Sequence, residues 1–261
     1  MTNAFSDKNL LPKNLKTSDG NFIAYHSTDN LEPNNLPGII FMPGFMSNMD
    51  GSKALAIEEF ARERGQRFVR FDYFGHGQSS GNFSDGHIGI WLENAISVLD
   101  QLSEGPQILV GSSMGGWLMF LTSLARPDRV AGLVGLAAAP DFTEELLLRE
   151  LTEDQVAEIR VNGQVTVSSD YDDDYIFTKK LIDEGRKYLI LNDRIEINCP
   201  VRLIHGIDDV SVPWEFATRI QEQLISTDVE VILLKNSDHR LSKPNNLVKL
   251  RFVLDGLMDC L

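Results

Sequence analysis

Cysteine is scarce in this chain of 261 residues, which contains only Cys199 and Cys260. Cys199 directly precedes a predicted strand and Cys260 is next to last in the sequence, so we expect two reduced, unpaired thiols. A scaffold that depends on several disulfides is therefore excluded. Since 43% of the residues are hydrophobic, we expect the chain to fold around a sizeable apolar core instead.

Basic residues are also few, because 24 Lys and Arg stand against 38 Asp and Glu, which gives a formal net charge of −14. A surface of this charge repels phosphate backbones and anionic lipid, so we expect no nucleic-acid partner and no anionic membrane partner. No stretch reaches the roughly 20 consecutive apolar residues that a transmembrane helix needs. The sequence therefore predicts no membrane span.

The first 16 residues have neither of the compositions that are typical of targeting sequences. They contain no continuous apolar segment of the kind found in a secretory signal. They also contain no arginine and carry Asp7, which disfavours a transit peptide. From these residues we predict a cytoplasmic protein.

The most informative pattern that is present lies in residues 108–124. An apolar run at 108–110 predicts a buried strand, and a nearly uniform apolar stretch after residue 117 predicts a buried helix. Between them stands Gly111-Ser112-Ser113-Met114-Gly115, a G-x-S-x-G sequence. In the nucleophile elbow this motif joins a strand to a helix through a sharp turn with the serine at the bend. We therefore predict that Ser113 is a nucleophile and that the N–H of Met114, directly after it, donates to an oxyanion.

Predicted strands and helices alternate along most of the chain, which is typical of an α/β fold with a mostly parallel central sheet flanked by helices. We expect a single domain over residues 1–261, opened by a hairpin at 15–26. The stretch at about 141–200 is longer than one crossover connection needs. Helical patterns at 142–160 and 175–188, separated by an irregular segment, predict a small, mainly helical cap over the site.

A serine nucleophile needs a base, and the base needs an acid that orients it. In the elbow fold the order along the chain is serine, acid, histidine, and only His205 and His239 follow Ser113. His239 lies just past the last predicted strand, where a base can reach the elbow. We predict that His239 is the base and that His205, at the end of a predicted strand, is structural. By position alone the acid is Asp208 or Asp209.

His76, which stands between two glycines in a predicted loop, is interpreted as structural. The acidic run at 170–174 begins like a calcium-binding loop, but Tyr175 replaces the glycine and Leu181 the glutamate that an EF-hand requires. We therefore predict no metal and no cofactor.

Several further motifs resemble those of the α/β-hydrolase family. The similarity extends to the branch that includes a mitochondrial palmitoyl-protein thioesterase, which also hydrolyses mycophenolic acid acyl-glucuronide. It covers most of the chain, is weak in the cap, and is carried by Phe41-Met42-Pro43-Gly44, Gly51-Ser52-Lys53-Ala54-Leu55, Arg70-Phe71-Asp72-Tyr73, Gly75, Gly77, Ser79, Gly81 and Gly111-Ser112-Ser113-Met114-Gly115-Gly116-Trp117.

The resemblance implies two further site assignments. The sequence at 205–213 is similar to the family pattern H-G-x-x-D-x-x-V-P, whose aspartate falls on Asp209 rather than Asp208. Relatives carry His-Gly-x in the loop where this chain has Pro43-Gly44-Phe45, so the second oxyanion donor is expected to be the N–H of Phe45.

Together these residues predict a cofactor-free serine hydrolase that cleaves carboxylic esters or thioesters through an acyl-enzyme. Large apolar residues near the motifs, among them Met46 and Trp214, are expected to bind an apolar acyl group, with more apolar surface from Phe142, Leu146 and Phe177 of the cap. The substrate would be a small-molecule ester or thioester, or an acylated protein. Two alternatives remain open: a carbon–carbon bond hydrolase acting on diketones with the same triad, and a non-catalytic binding module.

Overall fold

The computed structural model describes residues 11–28, 36–168 and 174–261. In these residues an eight-stranded sheet forms the centre of the molecule, and a two-stranded sheet lies apart from it. The strands in chain order are β1 (Lys13–Lys16), β2 (Phe22–Ser27), β3 (Gly38–Met42), β4 (Phe68–Phe71), β5 (Gln107–Ser112), β6 (Val130–Leu136), β7 (Gln164–Val167), β8 (Tyr175–Thr178), β9 (Val201–Gly206) and β10 (Val229–Leu234).

The central sheet has the order β1-β2-β4-β3-β5-β6-β9-β10. The six strands from β4 to β10 pair in parallel, and β1 and β2 form the predicted antiparallel hairpin at one edge. β3 and β5 are buried along their whole length, as expected of parallel strands covered on both faces. Because the carboxyl ends of parallel strands meet at one edge of a sheet, the loops after β3, β5, β9 and β10 gather there.

Helices cover both faces of this sheet, as the alternation predicts. The α-helices are α1 (Ser52–Glu63), α2 (Ile88–Leu102), α3 (Met114–Ala125), α4 (Leu148–Glu150), α5 (Glu153–Asn162), α6 (Lys179–Gly185), α7 (Glu215–Gln223) and α8 (Pro244–Met258). One hydrophobic core lies between the sheet and α2, α3 and α7, and a second lies between the sheet and α1 and α8. No helix among the described residues has the length and apolar character that crossing a membrane requires.

The segment between β6 and β9 differs in detail from the predicted pair of helices. The single helix expected at 142–160 is divided into a π-helical turn at Thr143–Leu147, the short α4, and α5. Thr152 starts α5 anew, since its side chain accepts the N–H of Gln155 while the Gln155 side chain accepts the N–H of Thr152. The sequence signal for this reciprocal capping box is the pattern Thr-x-x-Gln.

A second correction concerns residues 175–178, which were expected to begin a helix and instead form β8. This strand pairs antiparallel with β7, and Val165 lies opposite Phe177. Tyr175, Ile176 and Phe177 are aromatic or β-branched, and such side chains favour strands when a partner strand is available. The pair packs on a small separate core formed by Leu147, Ile159, Val165 and Ile182. Of the acidic run at 170–174, residues 170–173 lie outside the described residues.

Candidate active site

Ser113 occupies a strained turn between β5 and α3. Its backbone has φ 53° and ψ −120°, in the left-handed half of conformational space that residues with side chains rarely adopt. The flanking glycines allow the turn to close. A Cβ at Gly115 would lie 2.1 Å from the carbonyl oxygen of Met42, and one at Gly111 would lie 2.4 Å from that of Gly115. The G-x-S-x-G pattern is therefore a packing requirement at this bend.

Three predicted side chains meet at the carboxyl edge of the sheet. The hydroxyl of Ser113 donates to Nε2 of His239 across 3.0 Å, and Nδ1–H of His239 donates to Oδ2 of Asp209 across 2.8 Å. Asp209 follows β9 and His239 follows β10, so neighbouring parallel strands deliver both side chains to the same edge. Asp208, the other acid that position alone allowed, is exposed to solvent.

The Asp209 carboxylate is held on both oxygens. Oδ1 accepts the N–H groups of Ser211 and Val212 at 3.0 and 2.8 Å. Oδ2 also lies 3.2 Å from Nε2 of the buried His205, which donates at 2.9 Å to the carbonyl oxygen of Val212. Burial alone raises the pKa of this carboxyl, but the hydrogen bonds from His205 and His239 bring it well below its ordinary value. Asp209 is thus an anion fixed against the His239 ring.

His205 therefore does more than the structural role that its place in a strand suggested. Its Nε2 lies 3.2 Å from the same carboxylate oxygen that faces His239. The signal available in the sequence was its spacing of four residues from Asp209, which the end of β9 turns into a contact.

The two backbone N–H groups predicted as oxyanion donors belong to Met114, which follows Ser113, and to Phe45, which follows Gly44. Met114 is the first residue of α3, so its N–H has no acceptor within the helix. Gly44 packs against Ser113, since a Cβ at Gly44 would lie 3.4 Å from the Ser113 Cβ. The N–H of Ser47 donates to the Gly44 carbonyl at 3.2 Å, closing a turn over residues 44–47. In such a turn the N–H of the second residue, Phe45, is not used by the turn itself.

His76, which the sequence predicts to be structural, supports this turn. Its Nε2 accepts the N–H of Met46 at 3.2 Å, and its Nδ1 lies 3.2 Å from the carbonyl oxygen of Phe74. The ring can satisfy both contacts only when it is neutral with the proton on Nδ1. Burial lowers the pKa of His76 to about 4, which keeps this form at neutral pH. His76 therefore fixes the residue next to Phe45.

A cavity of about 680 Å³ opens at Ser113. One wall is apolar and comes from the loop after β3 and from residues 142–177. It includes Met46 and the predicted cap residues. Its side chains, all from the described parts of that range, are Phe45, Met46, Phe142, Leu146, Leu147, Leu151, Val167, Tyr175 and Phe177. The other wall is polar and comes from the start of α1 and the segment after His239, with Asn48, Ser52, Lys53, Arg240 and Ser242.

The structure places Trp214, which was expected to bind substrate, outside the lining of this cavity. Val210, Ser211 and Val212 line it instead, and the chain then turns directly into α7 at Glu215. Within the described ranges no group of three or more His, Cys, Asp or Glu side chains could hold a metal ion.

Comparisons with known proteins agree with this architecture. A family model described as the alpha/beta hydrolase fold matches residues 37–160. The mitochondrial palmitoyl-protein thioesterase ABHD10 of Bos taurus is 44% identical over 225 residues, which are 85% of this chain and 73% of that protein. This chain belongs to the alpha/beta hydrolase family. The human ABHD10 thioesterase is 41% identical over the same length and the same shares of both chains.

Solved structures give the same result. ABHD10 from mouse superposes with a TM-score of 0.86 at 38% identity, covering 96% of this chain and 99% of that chain. A protein from Agrobacterium vitis S4 superposes with a TM-score of 0.88 at 35% identity, covering 95% of this chain and 97% of that chain. The expected fold class, the expected branch of the family and the expectation of an enzyme are thereby confirmed.

The predicted cytoplasmic location is wrong by the same comparison, because the curated ABHD10 relatives are mitochondrial proteins. The prediction used the composition of 16 residues as its only indicator of compartment. Neither the sheet nor the residues around Ser113 depend on the compartment in which the chain works. The fold therefore contains no information that could have corrected the predicted location.

Proposed function

We propose that this hydrolase cleaves carboxylic esters and thioesters through an acyl-enzyme on Ser113. The observation that supports this most strongly is the continuous pair of hydrogen bonds from Ser113 to His239 and from His239 to Asp209. This arrangement gives a weak hydroxyl nucleophile a base at hydrogen-bond distance and gives that base an oriented anion.

In the proposed reaction the Ser113 oxygen attacks the substrate carbonyl carbon while its proton passes to Nε2 of His239. The N–H groups of Phe45 and Met114 donate to the oxyanion of the tetrahedral intermediate. His239 then returns the proton to the leaving alcohol or thiol as the bond to the acyl carbon breaks. A water molecule, deprotonated by His239, attacks the acyl-enzyme in the same way and regenerates Ser113.

The apolar wall of the cavity supports an apolar acyl group as the substrate's acyl portion. This wall includes the side chains of Phe142, Leu146 and Phe177. They belong to the segment at about 141–200, which acts as a cap over Ser113 within one domain of 261 residues. Met46, on the same wall, adapts to a flexible chain because its side chain is unbranched. The names of the ABHD10 relatives support a thioester as the bond and an acylated protein, besides small-molecule esters, as the substrate.

A fluorophosphonate probe tests this proposal, because it phosphonylates only a serine that a base has activated. We expect the wild-type protein to be labelled, with the adduct on the peptide that contains Ser113, and Ser113→Ala to remain unlabelled. Ser112→Ala is the matched control and should label as the wild type does. An unlabelled wild-type protein, as expected of a binding module, or an adduct on another residue would contradict the proposal.

A further inference from the structure

The polar wall of the cavity carries two cationic side chains, although the chain as a whole is strongly acidic. Lys53 is the second residue of α1, and Arg240 directly follows His239. Both line the cavity together with Ser52 and Ser242. The Nζ of Lys53 donates to the carbonyl oxygen of Arg240, so the two residues are in direct contact. In a protein with a formal net charge of −14, a pair of cations beside the nucleophile requires an explanation.

Within the part of the chain that the structure describes, Lys53 forms no ion pair. Its hydrogen bond goes to a neutral carbonyl, and an ammonium group has three donors. The side chain is half-buried, and the pKa of Lys53 is lowered to about 8. Burial is the larger cause of this shift, and repulsion from Arg240 is the second. Attraction from Asp238 and Asp209 opposes the shift without cancelling it. A desolvated cation of this kind gains free energy when an anion binds next to it.

The start of α1 adds to the positive electrostatic potential that Lys53 and Arg240 produce in the cavity. Gly51, Ser52 and Lys53 all line the cavity, and the first turn of the helix contains no acidic residue. The positive end of the helix dipole therefore points toward the wall that holds the lysine. Among the described residues that line the cavity, the acidic side chain is Glu150. It belongs to α4 of the cap and lies next to the apolar residues Leu147 and Leu151 in the chain, not on the wall that holds Lys53.

The position of this wall indicates which part of a substrate it would contact. The apolar wall accommodates the acyl chain. His239 delivers a proton to the leaving group, and Arg240 is the next residue along the chain. The leaving group therefore departs on the side of His239 and Arg240.

We propose that Lys53 and Arg240 form a subsite for an anionic group, a carboxylate or a phosphate, on the leaving group of the substrate. This proposal rests on the acyl transfer at Ser113 proposed above. It makes the enzyme selective for acyl esters and thioesters whose alcohol or thiol carries negative charge. The two serines of the wall, Ser52 and Ser242, are hydroxyl donors for the same group.

Two matched substrate pairs test the subsite and separate the two anions. The carboxylate pair is 4-carboxyphenyl octanoate and its neutral methyl ester, and the phosphate pair is octanoyl-coenzyme A and the neutral octanoyl thioester of N-acetylcysteamine. The measured quantity is the ratio of kcat/KM for the charged substrate to that for its neutral partner. We expect Lys53→Met to lower this ratio about tenfold in at least one pair, the effect of losing one partly screened charge.

Lys249→Met is the matched control, because it removes the same charge from an exposed position on α8, outside the cavity, and should leave both ratios unchanged. The wild-type protein provides a second test. In the pair that responds to Lys53→Met, its ratio should fall as the pH rises from 7 to 9, because Lys53 loses its proton in this range.

The subsite would be overturned if Lys53→Met left the ratios of both pairs within twofold of wild type. It would also be overturned if the wild-type ratio did not change between pH 7 and 9 in the pair that responds to Lys53→Met. A different result would contradict the acyl-transfer proposal on which the subsite rests. That result is hydrolysis of the neutral substrates by Ser113→Ala at the wild-type rate.

Discussion

The ring of Phe45 stacks on the ring of Phe177, with centroids 5.4 Å apart and ring planes at 8°. Phe45 belongs to the loop after β3 that packs against Ser113, and Phe177 belongs to β8 of the cap. The wall that would receive the acyl chain and the loop that would receive the oxyanion are thus in direct contact. Phe142 joins the same cluster, 5.7 Å from Phe45. We expect acyl-chain binding and catalysis to depend on each other at this contact.

The first prediction concerns the length of the acyl chain. Each methylene buried against the apolar wall contributes at most about 0.8 kcal/mol. We therefore expect kcat/KM for p-nitrophenyl esters to rise from acetyl to about octanoyl, several-fold per added pair of carbons, and then to level off. Steady-state kinetics on the ester series measure this. A strict preference for acetyl, with octanoyl refused, would mean that the apolar side chains pack only against one another.

The second prediction removes the stacked ring from the cap. Phe177→Ala should lower kcat/KM for the octanoyl ester about tenfold and for the acetyl ester by much less, because only the longer chain reaches β8. Val161→Ala on α5 is a suitable control, since Val161 is exposed and lies outside the cavity. Equal losses on both esters would show that Phe177 acts through the fold or through the Phe45 loop rather than by contacting the acyl chain.

Much of this architecture followed from the sequence because its signals are local. Ser113 sits in a pattern whose glycines are required, because a Cβ at Gly115 or Gly111 would lie 2.1 or 2.4 Å from a backbone oxygen. The position of His239 followed in the same way from the end of the last strand. The family pattern was needed to choose between the adjacent Asp208 and Asp209. The structure now places Asp209 at 2.8 Å from His239.

The third prediction tests that choice of acid. Asp209→Asn should lower kcat by roughly 10⁴, because an amide at this position favours the wrong tautomer of the His239 ring. Asp208→Asn is the built-in control. Asp208 is exposed, and its substitution should change kcat little. The reverse pattern of losses would assign the acid to Asp208.

Other features lay beyond the sequence because they depend on distant contacts. The bond from His76 to Met46 joins residues that are 30 positions apart, and no local pattern connects them. Trp214 is a related case, since its proximity to Asp209 in sequence does not place it among the residues that line the cavity. Such contacts arise only when separate loops meet at the sheet edge.

The fourth prediction concerns pH and His76. The pKa of this ring is about 4 in the folded protein, below its ordinary value of 6.5. The unfolded chain therefore binds a proton more readily, and the contribution of the neutral ring to stability is present above pH 6.5 and lost as the pH falls through 4. The loss is at most roughly 3 kcal/mol.

Urea unfolding at pH 7 and pH 4.5 measures this effect. His76→Gln cannot titrate, so its free energy of unfolding should fall less between the two pH values than that of wild type. A His76→Gln protein with the full wild-type pH dependence would contradict this role for the ring.

The most direct test of the account is the rate of p-nitrophenyl octanoate hydrolysis by Ser113→Ala. The Ser113 hydroxyl lies at the bend of the elbow and is hydrogen-bonded to His239, so its removal should leave the fold intact. Because members of a triad act as a unit, we expect the rate to fall by about 10³ or more, with Ser112→Ala close to wild type. A Ser113→Ala protein that kept a tenth of the wild-type rate would show that Ser113 is not the nucleophile.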